Sequence, residues 1–312
     1  MSSDSYRRHP TAGARVRRVF LTVTLLGSAA FAIPAVVGPT HAAAISATPY
    51  YLSLGDSLSV GVQPNKSGVD YRTSAGYAND LYALERVSSA EAGLTLKKLG
   101  CPGETTTSMV TGGICGYKAG SQLAEAVLFL KTHTVNFVTI DIGANDIDNC
   151  VVGLSIDPTC IANGIATVET NLPVILTTLE TAAPGVPIYA MNYYDPFLAA
   201  WLIGTSGEPL AVESACLTTG FDYPTACPLP AGFDGILGTI YGAFSVPVAD
   251  VATAFDTNNF TLDSNTGLPQ NVTNICRDTW ECYPPPRGNN IHANANGYAL
   301  IANTFGATIG NL

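Results

Sequence analysis

The apolar run Tyr50-Tyr51-Leu52-Ser53-Leu54 breaks off at Gly55-Asp56-Ser57-Leu58. A short continuous apolar stretch fits a parallel strand buried on both faces, and open α/β sheets carry their chemistry at the carboxyl ends of such strands. Gly55 allows a tight turn there, so Ser57 is expected at the mouth of the sheet with its hydroxyl exposed. A serine beside a glycine serves equally well as a helix cap, and this turn alone assigns no role.

Beyond the turn, strand-like and helix-like stretches alternate. Residues 77–86 read as a helix, and residues 94–99 as a second strand leading into Gly100-Cys101-Pro102-Gly103. Residues 121–131 carry Leu123, Val127 and Leu130 at helical spacing. Residues 136–142 form an apolar, β-branched strand that ends at Gly143-Ala144-Asn145-Asp146. Ile165, Val168, Leu172, Ile175 and Leu179 mark a long amphipathic helix, which Pro173 is expected to kink or split. Residues 187–193 and 246–251 supply two more strands, and Tyr298, Ile301, Phe305 and Ile309 a last helix. The alternation predicts a parallel sheet covered on both faces. Residues 195–244 fit no element and read as an insertion over one end of the sheet.

Residues 1–44 stand apart. Arg7, Arg8, Arg15, Arg17 and Arg18 precede a nearly uncharged run over residues 19–37, and small residues follow around Ala42-Ala43-Ala44. That order is the pattern of a secretory signal cut near Ala42 to Ala44, and Arg17-Arg18-Val19-Phe20-Leu21 has the look of a twin-arginine export signal. The run is also long enough to span a bilayer, so an uncleaved anchor is the alternative. The remaining residues 45–312 are expected to form one domain.

Setting aside residues 1–46 removes five of the 14 Lys and Arg and one of the 24 Asp and Glu, leaving nine basic and 23 acidic side chains. So acidic a surface argues against nucleic acid and anionic lipid as partners, and suits a secreted protein without a membrane anchor. All eight cysteines lie beyond the signal. An even count in an exported chain reads as disulfides, and closeness in sequence favours Cys101–Cys115, Cys150–Cys160, Cys216–Cys227 and Cys276–Cys282. Zinc is the weaker reading, because no C-x₂-C spacing occurs and histidine is scarce.

Of the histidines, His133 and His292 lie beyond the signal. His133 closes a helix after Lys131, where a cation favours the helix dipole. His292 sits in the polar loop Asn289-Asn290-Ile291-His292-Ala293-Asn294 before the last helix. A serine nucleophile needs a base within reach, so if Ser57 is the nucleophile, His292 is the base by elimination. A developing oxyanion needs donors as well, and Gly103 and Asn145 each follow a strand near Ser57. Their bland readings are a turn glycine and a turn-capping asparagine.

Gly55-Asp56-Ser57-Leu58, Gly103 in Cys101-Pro102-Gly103-Glu104-Thr105-Thr106, Gly143-Ala144-Asn145-Asp146 and His292 resemble, in order, the four blocks of the SGNH (GDSL) hydrolases. The resemblance runs from about Tyr50 to Ala302. It implies a flavodoxin-like α/β/α sandwich with a central parallel sheet, and a secreted esterase or lipase acting on a small-molecule or lipid ester. It also implies Ser57 as nucleophile, His292 as base, and an oxyanion hole from the Ser57 and Gly103 backbone N–H groups and the Asn145 side chain. This chemistry requires no metal or organic cofactor. No G-x-S-x-G occurs, which counts against the α/β-hydrolase elbow.

One position departs from the pattern. The family's last block is usually Asp-x-x-His, and here Asn289 stands in the aspartate's place. Asn289 is therefore a candidate orienter of His292, with a Ser–His dyad aligned by a backbone carbonyl as the preferred alternative. The rival functions are a carbohydrate O-deacetylase on extracellular polysaccharide and a non-catalytic binding module on the same fold. Apolar residues of the insertion, Trp201 or a close neighbour among them, are expected to border the acyl side of the cleft.

Overall fold

The computed structural model describes residues 48–88 and 93–310. The leader read in residues 1–44 lies outside the described residues. In chain order, β1 (Tyr50–Gly55) is followed by the hairpin of β2 (Val62–Pro64) and β3 (Asp70–Arg72), then α1 (Tyr77–Ser88) and β4 (Thr95–Lys98). Next come α2 (Thr106–Thr111), α3 (Gln122–Thr132), β5 (Val135–Asp141), the short hairpin of β6 (Val151–Val152) and β7 (Ser155–Ile156), and α4 (Pro158–Ala182). After β8 (Ile188–Met191) the insertion begins with a 3₁₀ segment, Pro196–Ser206, and continues with α5 (Glu208–Thr219) and α6 (Gly232–Ala243). The chain closes with β9 (Val248–Ala249), α7 (Val251–Ala254), α8 (Gln270–Asp278) and α9 (Ala295–Ile309).

β4, β1, β5, β8 and β9 lie side by side in that order as one parallel sheet. Counted along the chain, this is the 2-1-3-4-5 order of the flavodoxin-like sandwich. The order reverses between β1 and β5, and such a switch point opens a crevice at the carboxyl ends of the strands. Consecutive residues of both strands are buried, with Tyr51, Leu52, Leu54, Phe137 and Ile140 fully enclosed. Burial at successive positions requires cover on both faces of the sheet. α1 packs with α9, and α3 with α4.

α4 runs unbroken through Pro173. Asp157 caps it by accepting from the Thr159 and Cys160 N–H groups, and Val168, Leu172, Ile175, Leu176 and Leu179 are buried on one face. Tertiary packing of that stripe outweighs the lost hydrogen bond, so the expected split does not occur. Four disulfides join Cys101 to Cys115, Cys150 to Cys160, Cys216 to Cys227 and Cys276 to Cys282, all sequence neighbours.

Candidate active site

The turn after β1 is pressed against β5. Gly55 has φ +129°, and a Cβ there would fall 2.1 Å from the Asp141 carbonyl oxygen, so no other residue fits. Its N–H donates to Gln122 Oε1 at 2.6 Å, and Gln122 Nε2 donates back to the Gly55 carbonyl at 2.9 Å and to Glu104 Oε2 at 2.9 Å. The buried carboxylate of Asp141 accepts from Tyr77 Oη at 2.6 Å and from the Ser59 N–H at 3.1 Å. Asp56 Oδ1 accepts from the Leu58 N–H at 2.9 Å. Burial pushes the Asp56 and Asp141 carboxyls above the usual carboxylate range, and the Asp56 charge pushes Asp141 up further. Ser57 thus stands on a turn fixed from beneath by fully buried partners.

The loops after β4 and β5 are laced together beside it. Asn145 Nδ2 donates to the Glu104 carbonyl at 3.1 Å and to Asp56 Oδ2 at 3.3 Å. Asp146 accepts from the Thr106 N–H and from Thr106 Oγ1, both at 2.8 Å. Gly103 precedes Glu104 in this lacing, and no atom lies within 4 Å of the place a Cβ would take.

His292 arrives from the other end of the chain. Trp280 donates its backbone N–H to the His292 carbonyl at 3.0 Å, Thr279 bridges to Ala293, and Tyr194 Oη donates to the Ile291 carbonyl at 2.7 Å. Asn290, not Asn289, places its side-chain oxygen on the imidazole. Asn290 Oδ1 lies 2.7 Å from His292 Nδ1 and accepts from the His292 backbone N–H at 3.1 Å. An asparagine side chain reaches the backbone two residues on, an Asx turn, which favours the nearer of the two asparagines. Asp70 on β3 accepts from Asn290 Nδ2 at 2.8 Å and holds its second oxygen 3.6 Å from His292 Nδ1. Burial lowers the imidazole pKa from its ordinary value, and the Asp70 charge opposes that shift.

Ser57, Asn145 and His292 line one cleft. Gly103 is not part of the lining. One wall is apolar, built from Ile147, Val151, Ile156, Phe197, Leu217 and Phe233. Trp201 lies off the wall, tilted against Phe260 at 5.8 Å, and its neighbour Phe197 takes the place expected for it. Asp148 also faces the cleft, where burial and the charges of Asp56, Asp195 and Asp146 push its carboxyl up to about 8. His133 stacks on Phe129 at 4.0 Å at the end of α3, in a structural role. Asp70, Asn290, Gln122 and Asp148 carry no local signature in the sequence. A glutamine beside Leu123 on the apolar side of an amphipathic helix is the nearest to a signal.

The arrangement can hold a serine hydroxyl, an imidazole and an amide donor around one substrate carbonyl. A comparison with curated proteins finds no match. Among solved structures the chain is similar in fold to an extracellular lipase from Streptomyces rimosus, at 19% identity and TM-score 0.52, over 83% of this chain and 99% of that one. It is also similar to an acetyl xylan esterase from Geobacillus stearothermophilus, at 14% identity and TM-score 0.51, over 85% of this chain and 96% of that one. The switch-point cleft is framed by the loops after β1, β5 and β8 and by the turn before α9, and the GDSL-like lipase/acylhydrolase family model spans all four, matching residues 53–300. The chain belongs to that family of carboxylic-ester hydrolases.

Proposed function

We propose that this protein is a secreted serine esterase that works through an acyl-enzyme. Ser57 Oγ attacks the ester carbonyl carbon while His292 Nε2 takes the hydroxyl proton. The carbon–oxygen bond to the alcohol then breaks, and His292 returns the proton to the departing alcohol. Water enters, gives a proton to His292 and attacks the acyl carbon, after which Ser57 Oγ leaves with that proton and the free acid departs. The oxyanion is held by the backbone N–H groups of Ser57 and Gly103 and by Asn145 Nδ2, which trades one of its present acceptors for it. A buried His292 with a lowered pKa is neutral at pH 7, as a base must be.

The observation that carries this reading is the convergence of Ser57, Asn145 and His292 on one cleft at the switch point of the sheet. Export is supported by the basic and apolar order of residues 1–44 and by four disulfides, which persist in oxidising compartments. The apolar wall favours acyl chains longer than acetate over the deacetylase reading, since each buried methylene contributes about 0.8 kcal/mol.

The experiment is a chromogenic ester series from acetyl to decanoyl on purified protein. Hydrolysis should peak beyond acetyl. Ser57→Ala and His292→Ala should each lower kcat by about 10³-fold or more with an unchanged circular dichroism spectrum. A rate that peaks at acetyl and vanishes by octanoyl supports the deacetylase. A Ser57→Ala protein that keeps more than a few per cent of the rate removes the nucleophile assignment.

A further inference from the structure

Two side chains face His292 Nδ1: Asn290 from its own turn and Asp70 from beyond it. Asn290 offers its oxygen to Nδ1 at 2.7 Å and its Nδ2 to Asp70 Oδ1 at 2.8 Å. A side-chain amide turned end for end occupies the same space. Turned, Asn290 would donate to Nδ1, drive the imidazole proton to Nε2 and leave Ser57 without a base. An ionised carboxylate only accepts, so Asp70 is satisfied by one orientation of the amide and left facing an oxygen by the other. We propose that Asp70 is a positioning residue for the base: it keeps the Asn290 oxygen on His292 Nδ1 and so keeps Nε2 free to take the Ser57 proton. This rests on the assignment of His292 as base.

The frame around Asp70 suits that task. The tip of the β2–β3 hairpin is seated on the loop leading to His292: a Cβ on Gly68, whose φ is +77°, would fall 2.0 Å from the Pro286 carbonyl oxygen. Asn65 Oδ1 stiffens the tip by accepting from the Ser67 and Val69 N–H groups. The Asp70 side chain is 43% exposed, so its charge on the imidazole is screened and its direction of hydrogen bonding matters more. The other ionisable groups around the imidazole are Asp56, Asp148, Asp195, Tyr193 and Tyr194, which share its cleft, and Glu281, next to Trp280. Among the described residues Asn290 Nδ2 has Asp70 as its acceptor.

The test combines kinetics with nitrogen NMR on protein carrying isotope-labelled histidine, where the mature chain presents His133 and His292 alone. Wild-type His292 should carry its proton on Nδ1. Asp70→Ala should let the Nε2–H form appear and lower kcat about 10- to 100-fold, short of the roughly 10⁴-fold of full tautomer inversion. KM should stay within about twofold, and the acid limb of kcat/KM should move to lower pH as the imidazole loses its anionic neighbour. In an Asn290→Ala background Asp70→Ala should add less than about twofold, because Asp70 acts through that amide. An Asp70→Ala protein with pure Nδ1–H and a wild-type rate overturns the proposal, as does an equal loss in both backgrounds. Labelling of Ser57 by a fluorophosphonate, lost in His292→Ala, checks the base separately. Failure of wild-type protein to label overturns both readings; unchanged labelling and rate in Asp70→Ala overturns this one alone.

Discussion

The turn that carries Ser57 hangs on Gln122, Asp141 and Tyr77, all fully enclosed, through bonds of 2.6 to 3.1 Å. The imidazole of His292, on a loop held by Trp280 and Tyr194, takes its orientation from Asn290 and the half-exposed Asp70, reached from a surface hairpin. Buried bonds that lose a partner leave a desolvated group stranded, whereas exposed ones are replaced by water. Losing one of the supports beneath Ser57 should therefore unfold the protein, and losing one of the partners of the His292 imidazole should slow it while leaving it folded.

Gln122→Ala is the sharpest way to break the contrast. It strands the Gly55 N–H and the Glu104 carboxylate, and should lower unfolding stability by about 3–5 kcal/mol in urea. A stable Gln122→Ala protein with merely reduced activity would erase the distinction. Next in size is the loss of Cys150–Cys160, which closes a 10-residue separation under the apolar wall of the cleft. The double serine variant should lose about 2.5–3 kcal/mol of stability, and long-chain esters should suffer more than acetyl esters. An unchanged chain-length profile would detach that hairpin from the acyl site.

On the histidine side, Asn290→Ala should cost about 10- to 100-fold in kcat, or about 1.4–2.7 kcal/mol of barrier, with the melting temperature unmoved. Asn289→Ala should cost less than about threefold. A reversed ranking would return the orienting role to Asn289.

The smallest effect concerns Asp148. Its carboxyl is raised in the folded state to about 8, so the native protein holds that proton more tightly than the unfolded chain. The stability it contributes is fully present below its unfolded pKa near 3.8 and is lost as pH rises through about 8. Asp148→Asn cannot ionise, and should melt about 2–4 °C above wild type at pH 8.5 and level with it at pH 4. An equal gain at both values would mean that ionisation is not the cause.

The two sides also differed in how far the sequence announced them. β1 and β5 are continuous apolar runs ending in glycine turns, and the cleft opens where they end. Local pattern suffices for such elements because burial at successive residues leaves its mark on composition. The start of the insertion did not read, since short 3₁₀ stretches broken at Gly204 have no apolar period of 3.6 to detect. The split foreseen at Pro173 did not occur, because a buried stripe outweighs one missing hydrogen bond. Asp70 and Asn290 lie 220 residues apart, and nothing near either announces the other. Their meeting is a product of the whole fold.

That separation has a consequence for the order of events during synthesis. β1 is the first of the described strands and the turn bearing Ser57 comes with it, yet His292 arrives just before α9, which docks on α1 from the first part of the described chain. A nascent polypeptide holds Ser57 without His292, the base proposed for it. On the proposed Ser57–His292 mechanism, acyl transfer begins only when the final helix has been delivered and packed, and a chain cut short before α9 is expected to stay chemically silent.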